Sequence, residues 1–174
     1  LLLSTHDACR LLAEIVVERE SDRIALRARL VAVAQRLGFS PLEREDMILV
    51  CYELASNIYK HADGRGAVQI WLQPGGTLDL FAFDHGPGVA QLEAAFCDGY
   101  STSKTLGKGL GSVVRLSHDA VFYTRTAGSE HSRGWHGTAV MARFSRQAPL
   151  TGVGLYSRSL RDDRYNGDRI FLYT

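Results

Sequence analysis

The stretch Glu53-Leu54-Ala55-Ser56-Asn57-Ile58-Tyr59-Lys60-His61 decides how this chain is read. Its three chemically capable side chains, Glu53, Asn57 and His61, fall four residues apart. On an α-helix that spacing puts them on one stripe, drifting by about 40° per step. Met47, Cys51, Leu54 and Ile58 form an apolar stripe beside it, so the segment reads as an amphipathic helix. The polar three then sit at the edge of its sheet-facing side. Ser40 as N-cap, Pro41 at the first helical position and Glu43 completing a capping box fix the start. Ala62-Asp63-Gly64-Arg65-Gly66 breaks the helix just past His61.

Outward from that helix, residues 13–19 read as a β-branched strand, and Ser21 to Leu37 carry helical apolar spacing that Gly38 stops. After the central helix come two strands, Val68 to Leu72 and Thr77 to Phe83, with Pro74-Gly75-Gly76 as the turn. Leu92 to Phe96 reads as a short helix. Asp98 to Gly111, rich in Gly, Ser, Thr and Lys, reads as a functional lid, being long for a plain loop. Ser112 to His118 reads as a helix. Ala120 to Thr126 and Thr138 to Phe144 read as a closing hairpin joined by a polar loop with His131 and His136. Helices gathered on one face of a mostly antiparallel sheet make a two-layer α+β sandwich.

Composition bounds the function. The 174 residues, 45% hydrophobic and 22% charged, suit a soluble globular domain with some chain left over. A net charge of +1 gives no electrostatic case for nucleic acid or for an anionic membrane, and no apolar run has the length of a membrane span. Cys9, Cys51 and Cys97 are scattered and form no CxxC pair, which fits reduced thiols in a cytoplasmic protein and gives a zinc site no support. Residue 1 is Leu and no signal-peptide pattern follows, so the start reads as the boundary of a piece of a longer chain.

Three short motifs carry chemistry. A carboxylate, an amide and an imidazole on one partly buried helix face need partners, and a ligand supplies them. The Asn57 carbonyl suits Mg²⁺, a hard cation that keeps waters and phosphate oxygens in its shell. Glu53, one turn earlier, is placed to take a proton from a hydroxyl or water. Asp84-x-Gly86-x-Gly88 follows an apolar strand. A carboxylate there can accept from an adenine amino group, with the glycines allowing the backbone close to the base. Gly107-Lys108-Gly109-Leu110-Gly111 ends the lid and opens a helix, an arrangement suited to phosphates, with Lys104 and Lys108 adding positive charge. It is neither a P-loop nor a dinucleotide fingerprint, since no GK[ST] follows and the preceding segment is a loop. Alone, each motif also has a plain reading: a polar helix face, a turn, a flexible loop.

Taken together and in order, the three resemble the N, G1 and G2 boxes of the GHKL ATPase superfamily, and Gly137-Thr138 resembles its closing GT element, over roughly residues 10–145. The resemblance implies the Bergerat ATP-binding fold, with ATP and Mg²⁺ as cofactors. Asp98-Gly99-Tyr100-Ser101-Thr102-Ser103, followed by the glycine motif and Arg115-Leu116, resembles more narrowly the RsbT-type switch kinases of the anti-sigma and stressosome group. Those enzymes phosphorylate Ser or Thr on small STAS-domain partners. By that resemblance Glu53 is the catalytic base, Asn57 the Mg²⁺ ligand and Asp84 the adenine contact. Gly86, Gly88, Ser101, Thr102, Gly107, Lys108, Gly109, Leu110 and Gly111 line the nucleotide, Thr138 supports the adenine, and His61 touches phosphate or packs at the helix end.

Two other readings stay open. One is a non-catalytic nucleotide-binding module that controls a partner or a fused phosphatase. The other is a histidine-kinase ATPase domain, disfavoured because no preceding helical hairpin carries a phosphoacceptor His. Pro149 marks a change in the chain. Residues 1–147 read as the nucleotide-binding unit, and 148–174 as a linker plus the first strands of a second unit. Val153-Gly154-Leu155 and Asn166-Gly167-Asp168 resemble the start of a PPM-type serine/threonine phosphatase, whose Gly-Asp supplies a metal-binding carboxylate. Apolar exposure on the first strand would suit a homodimer.

Overall fold

The computed structural model describes residues 9–90, 109–126 and 135–145, together with the backbone of 171–173. Strand β1 (Arg10–Val16) is followed by helices α1 (Asp22–Arg36) and α2 (Pro41–His61). Then come β2 (Gly66–Leu72), a 3-10 turn at Pro74–Gly76, and β3 (Leu78–Asp84). Helix α3 (Gly109–Leu116), β4 (Asp119–Arg125), β5 (Gly137–Phe144) and β6 (Phe171–Tyr173) complete the described elements. The strands form one sheet in the order β1-β2-β3-β5-β4-β6, and every pairing is antiparallel.

Strand periodicity decides which side faces the helices. Val68 and Ile70 of β2, Leu78, Leu80 and Ala82 of β3, Ala120 and Phe122 of β4, and Val140, Ala142 and Phe144 of β5 all enter one core. Leu26, Leu30 and Ala34 of α1 and Met47, Cys51, Leu54 and Ile58 of α2 fill it from the other side. Each such Leu, Ile or Phe contributes about 1.5–3 kcal/mol by leaving water. This is the two-layer α+β sandwich expected from the element order.

Local chemistry sets most boundaries. At α2 the Ser40 N–H donates to Glu43 Oε2 (2.6 Å), and the Glu43 N–H donates to Ser40 Oγ (3.3 Å), with Pro41 in the first turn. The predicted capping box is therefore formed, and the predicted end at His61 holds. Helix α1 starts differently. Ser21 makes no side-chain cap; the Asp22 carboxylate accepts from the Arg19 and Glu18 N–H groups (2.7 and 2.9 Å). Those two bonds hold the Asp22 carboxyl below its usual range. They also turn the chain, so β1 ends at Val16 where the composition placed strand as far as residue 19. Cys51 lies fully inside the core, which pushes its thiol up to about 12 and leaves it inert, while Cys9 is exposed. Cys97 lies outside the described residues.

The described part of helix α3 already includes Gly109 to Gly111, ahead of the Ser112 expected to open it, and packs against α2 despite the poor helix propensity of glycine. Phe171–Tyr173 pairs antiparallel with Phe122–Ala120, so this strand of the tail joins the sheet of the preceding segment. The proposed short helix at 92–96, most of the lid, His131 and the remaining tail strands lie outside the described residues. Among the described residues no helix is long and apolar enough to cross a membrane.

Candidate functional site

The polar stripe of α2 meets the start of α3. Glu53 and Asn57 are both half-buried. A Cβ built on Gly109 would lie 3.3 Å from Glu53 Oε2 and 3.5 Å from Asn57 Oδ1. Side-chain bulk at the first residue of α3 is therefore what a glycine removes here. Among the described residues neither Glu53 nor Asn57 finds a hydrogen-bond partner. A half-buried carboxylate and amide side by side at the contact of two helices offer a bound ligand an acceptor pair and a donor.

At the end of β3, Asp84 is buried and anchored. Its Oδ1 accepts from the Gly86 N–H (2.8 Å) and from the Thr138 N–H (3.1 Å). Oδ2 accepts nothing among the described residues, which leaves one carboxylate oxygen for a ligand while the other is held. Gly137 explains how the two strands come so close. It sits at φ +138°, and a Cβ there would fall 2.1 Å from the Asp84 carbonyl oxygen. The Gly-Thr pair noted in the sequence thus holds Asp84 twice, Gly137 against its backbone and the Thr138 N–H on its carboxylate.

The other motif residues are placed as follows. Gly86 lies against the end of α2, where a Cβ would meet the His61 carbonyl at 2.9 Å. Gly88 adopts a left-handed backbone, at φ +75°. The His61 side chain is exposed and makes no hydrogen bond among the described residues, and its carbonyl is the group that packs against Gly86. Gly111 is buried, and Leu110 packs on the hydrophobic core. Thr138 contributes its backbone N–H to Asp84, and its hydroxyl lies 3.4 Å from that of Thr124. Ser101, Thr102, Lys104, Gly107 and Lys108 lie outside the described residues.

Sequence reasoning missed two supports. The Thr124 hydroxyl accepts from the Val89 N–H (2.7 Å) and donates to the Gly137 carbonyl (3.2 Å), tying the Asp84 loop to β4 and β5. His136 Nδ1 lies 2.8 Å from the Gly86 carbonyl. A threonine near the end of a mostly apolar strand carries no local sign of such a role. His136 beside Gly137 is visible only once that glycine is known to touch Asp84.

Asp84, Thr138 and Thr124 fall on the helix-facing side of one end of the sheet, by strand parity with Ala82, Val140 and Phe122. The end of α2 reaches the same region through Gly86. The residues can hold a divalent cation only in a particular way. Among the described residues no cluster of three His, Cys, Asp or Glu side chains exists. One hard amide oxygen at Asn57 suits Mg²⁺ when phosphate oxygens and water supply the rest of the shell.

A scan against protein-family models finds no match. Among curated proteins, the serine/threonine-protein kinase RsbT of Bacillus subtilis (strain 168) is 37% identical over 100 residues, covering 56% of this chain and 74% of that protein. With three quarters of the relative matched at that identity, the chain belongs to the RsbT family.

Proposed function

We propose that this chain is an ATP- and Mg²⁺-dependent protein serine/threonine kinase of the anti-sigma switch type, acting on a STAS-domain protein. The observation that carries the reading is the convergence of Glu53 and Asn57, half-buried and open, on the first residue of α3. Kinship with a serine/threonine kinase agrees with it.

In this reading Asp84 Oδ2 accepts from the adenine amino group while Oδ1 stays on the Gly86 and Thr138 amides. The N-terminal N–H groups of α3, at Gly109 and Gly111, face the phosphates, aided by the lid residues Ser101, Thr102, Gly107 and Lys108. Asn57 Oδ1 would hold Mg²⁺, which would supply neutralisation of phosphate charge. Glu53 takes the proton of the acceptor hydroxyl as its oxygen bonds to the γ-phosphorus. The bridging bond to the β-phosphate breaks, and ADP leaves. Positioning and charge neutralisation supply most of the acceleration in such transfers.

The test is phosphotransfer from Mg-ATP to a purified STAS-domain protein from the same genome. Glu53→Ala is expected to slow transfer by about 100-fold or more while ATP affinity stays within about threefold. Equal transfer by the variant removes Glu53 from the chemistry. ATP binding by the wild type without any transfer assigns the chain to the non-catalytic nucleotide-binding class.

A further inference from the structure

The outward face of α2 is divided. Over its C-terminal half, Ser56 is buried and Glu53 and Asn57 are half-covered, because α3 packs there. Over its N-terminal half the same face is open and carries two leucines beside two carboxylates. Leu42 is 74% exposed and Leu49 51% exposed, although both belong to a helix whose other face is a packed core. Two large exposed leucines seven residues apart recur on one side of a helix, about 10 Å from each other along its axis. Glu53 continues that line one turn beyond Leu49. Between the leucines stand Glu45 and Asp46, and among the described residues neither has an ion-pair partner.

We infer that the Leu42–Leu49 stripe is the docking surface for the protein that carries the phosphoacceptor hydroxyl. The inference rests on the kinase reading above. Its geometry supplies the occupant. An acceptor hydroxyl must reach Glu53, and Leu42 and Leu49 lie on the same line of α2, one to three turns before it, exposed to whatever protein brings that hydroxyl. The stripe's chemistry states the partner's: an apolar surface that receives two leucines, with Lys or Arg set against Glu45 and Asp46. The leucines hold the complex, and the carboxylates guide its encounter and register. The nucleotide pocket takes no part in this contact, so acceptor affinity and nucleotide affinity are separable.

The experiment uses the whole 174-residue chain and a purified STAS-domain protein as the probe. Leu42→Glu, Leu49→Glu and their combination are compared with Val16→Glu, an exposed apolar position on β1 at the far edge of the sheet. Calorimetry reads affinity for the STAS protein and for Mg-ATP, phosphotransfer gives KM and kcat, and sedimentation gives the oligomeric state. The paired variant is expected to weaken STAS binding by at least about tenfold and to raise KM in step, as central apolar anchors do. Its kcat at saturation and ATP affinity should stay within about twofold, and Val16→Glu should change none of these. Unchanged STAS affinity in the paired variant overturns the inference, as does an equal loss in Val16→Glu or a parallel loss of ATP affinity. Conversion of a dimer to a monomer with STAS affinity intact assigns the stripe to a second copy and overturns it too. If the wild type binds the STAS protein without phosphorylating it, the kinase reading fails while the binding data still decide the stripe. If the wild type does not bind it, the acceptor assignment and the docking surface fall together.

Discussion

The two oxygens of Asp84 are placed differently. Oδ1 holds the Gly86 and Thr138 amides and so joins the ends of β3 and β5, whereas Oδ2 accepts nothing among the described residues and in the proposed function meets the adenine. Asp84→Asn separates them. An amide oxygen at the first position still accepts both N–H groups, so the fold is expected to persist with a melting temperature near that of wild type. The second position becomes an N–H₂ donor, which cannot accept from an adenine amino group. Losing a hydrogen bond to a charged acceptor is worth about 1.5–3 kcal/mol, so ATP affinity should fall by roughly 10- to 150-fold. Calorimetric titration of the variant checks this. An unchanged dissociation constant would remove Asp84 from the adenine site. The neighbouring Gly137 belongs to the same unit, since any side chain there strikes the Asp84 carbonyl.

At the scale of elements, helix α3 matters through its first residue. Gly109→Ala should favour the helix by about 0.5–1 kcal/mol, because alanine loses less conformational entropy than glycine. Its methyl would nevertheless stand 3.3 Å from Glu53 Oε2 and 3.5 Å from Asn57 Oδ1, in the space between the two helices. The variant is therefore expected to melt at or above the wild-type temperature without ligand, yet to gain less on adding Mg-ATP. Thermal melts with and without nucleotide read both effects. A gain in intrinsic stability with an undiminished ligand shift would mean that Gly109 serves the helix alone.

Across the whole molecule, the sheet face turned away from the helices carries a buried ion pair among the described residues. Asp79 of β3 and Arg143 of β5 are register partners, and Arg143 Nε and Nη2 reach Asp79 Oδ1 and Oδ2, both at 2.8 Å. Gln73 Nε2 adds a third bond to Asp79 Oδ2. The pairing with Asp79 raises the Arg143 pKa further above its already high range. Arg143→Met leaves a buried carboxylate unpaired, which costs about 3–5 kcal/mol. For a chain of this size that is a fall in Tm on the order of 10 °C, measurable by calorimetry or circular dichroism. Adding Asp79→Leu should recover part of the loss, because an apolar pair needs no desolvation of charge. No recovery would show that Asp79 does more than answer Arg143.

The sequence by itself determined what depends on neighbours a few residues away. The capping box at Ser40 and Glu43 closes within three residues, and the apolar period of α2 and the alternation of β2 are local, so their elements are legible from residue order alone. So is the order of the three motifs, which is a property of the chain. The tertiary structure decided what depends on partners far apart. It brought Gly109 against Glu53 and Asn57, Thr138 onto Asp84, and Arg143 onto Asp79. It also drew Gly109 to Gly111 into α3 and laid Phe171–Tyr173 on the edge of β4. Propensity alone disfavours glycines in a helix, and no periodicity in a strand says which strand it will join. Those choices follow from packing and register, in which each element answers to surfaces distant along the chain.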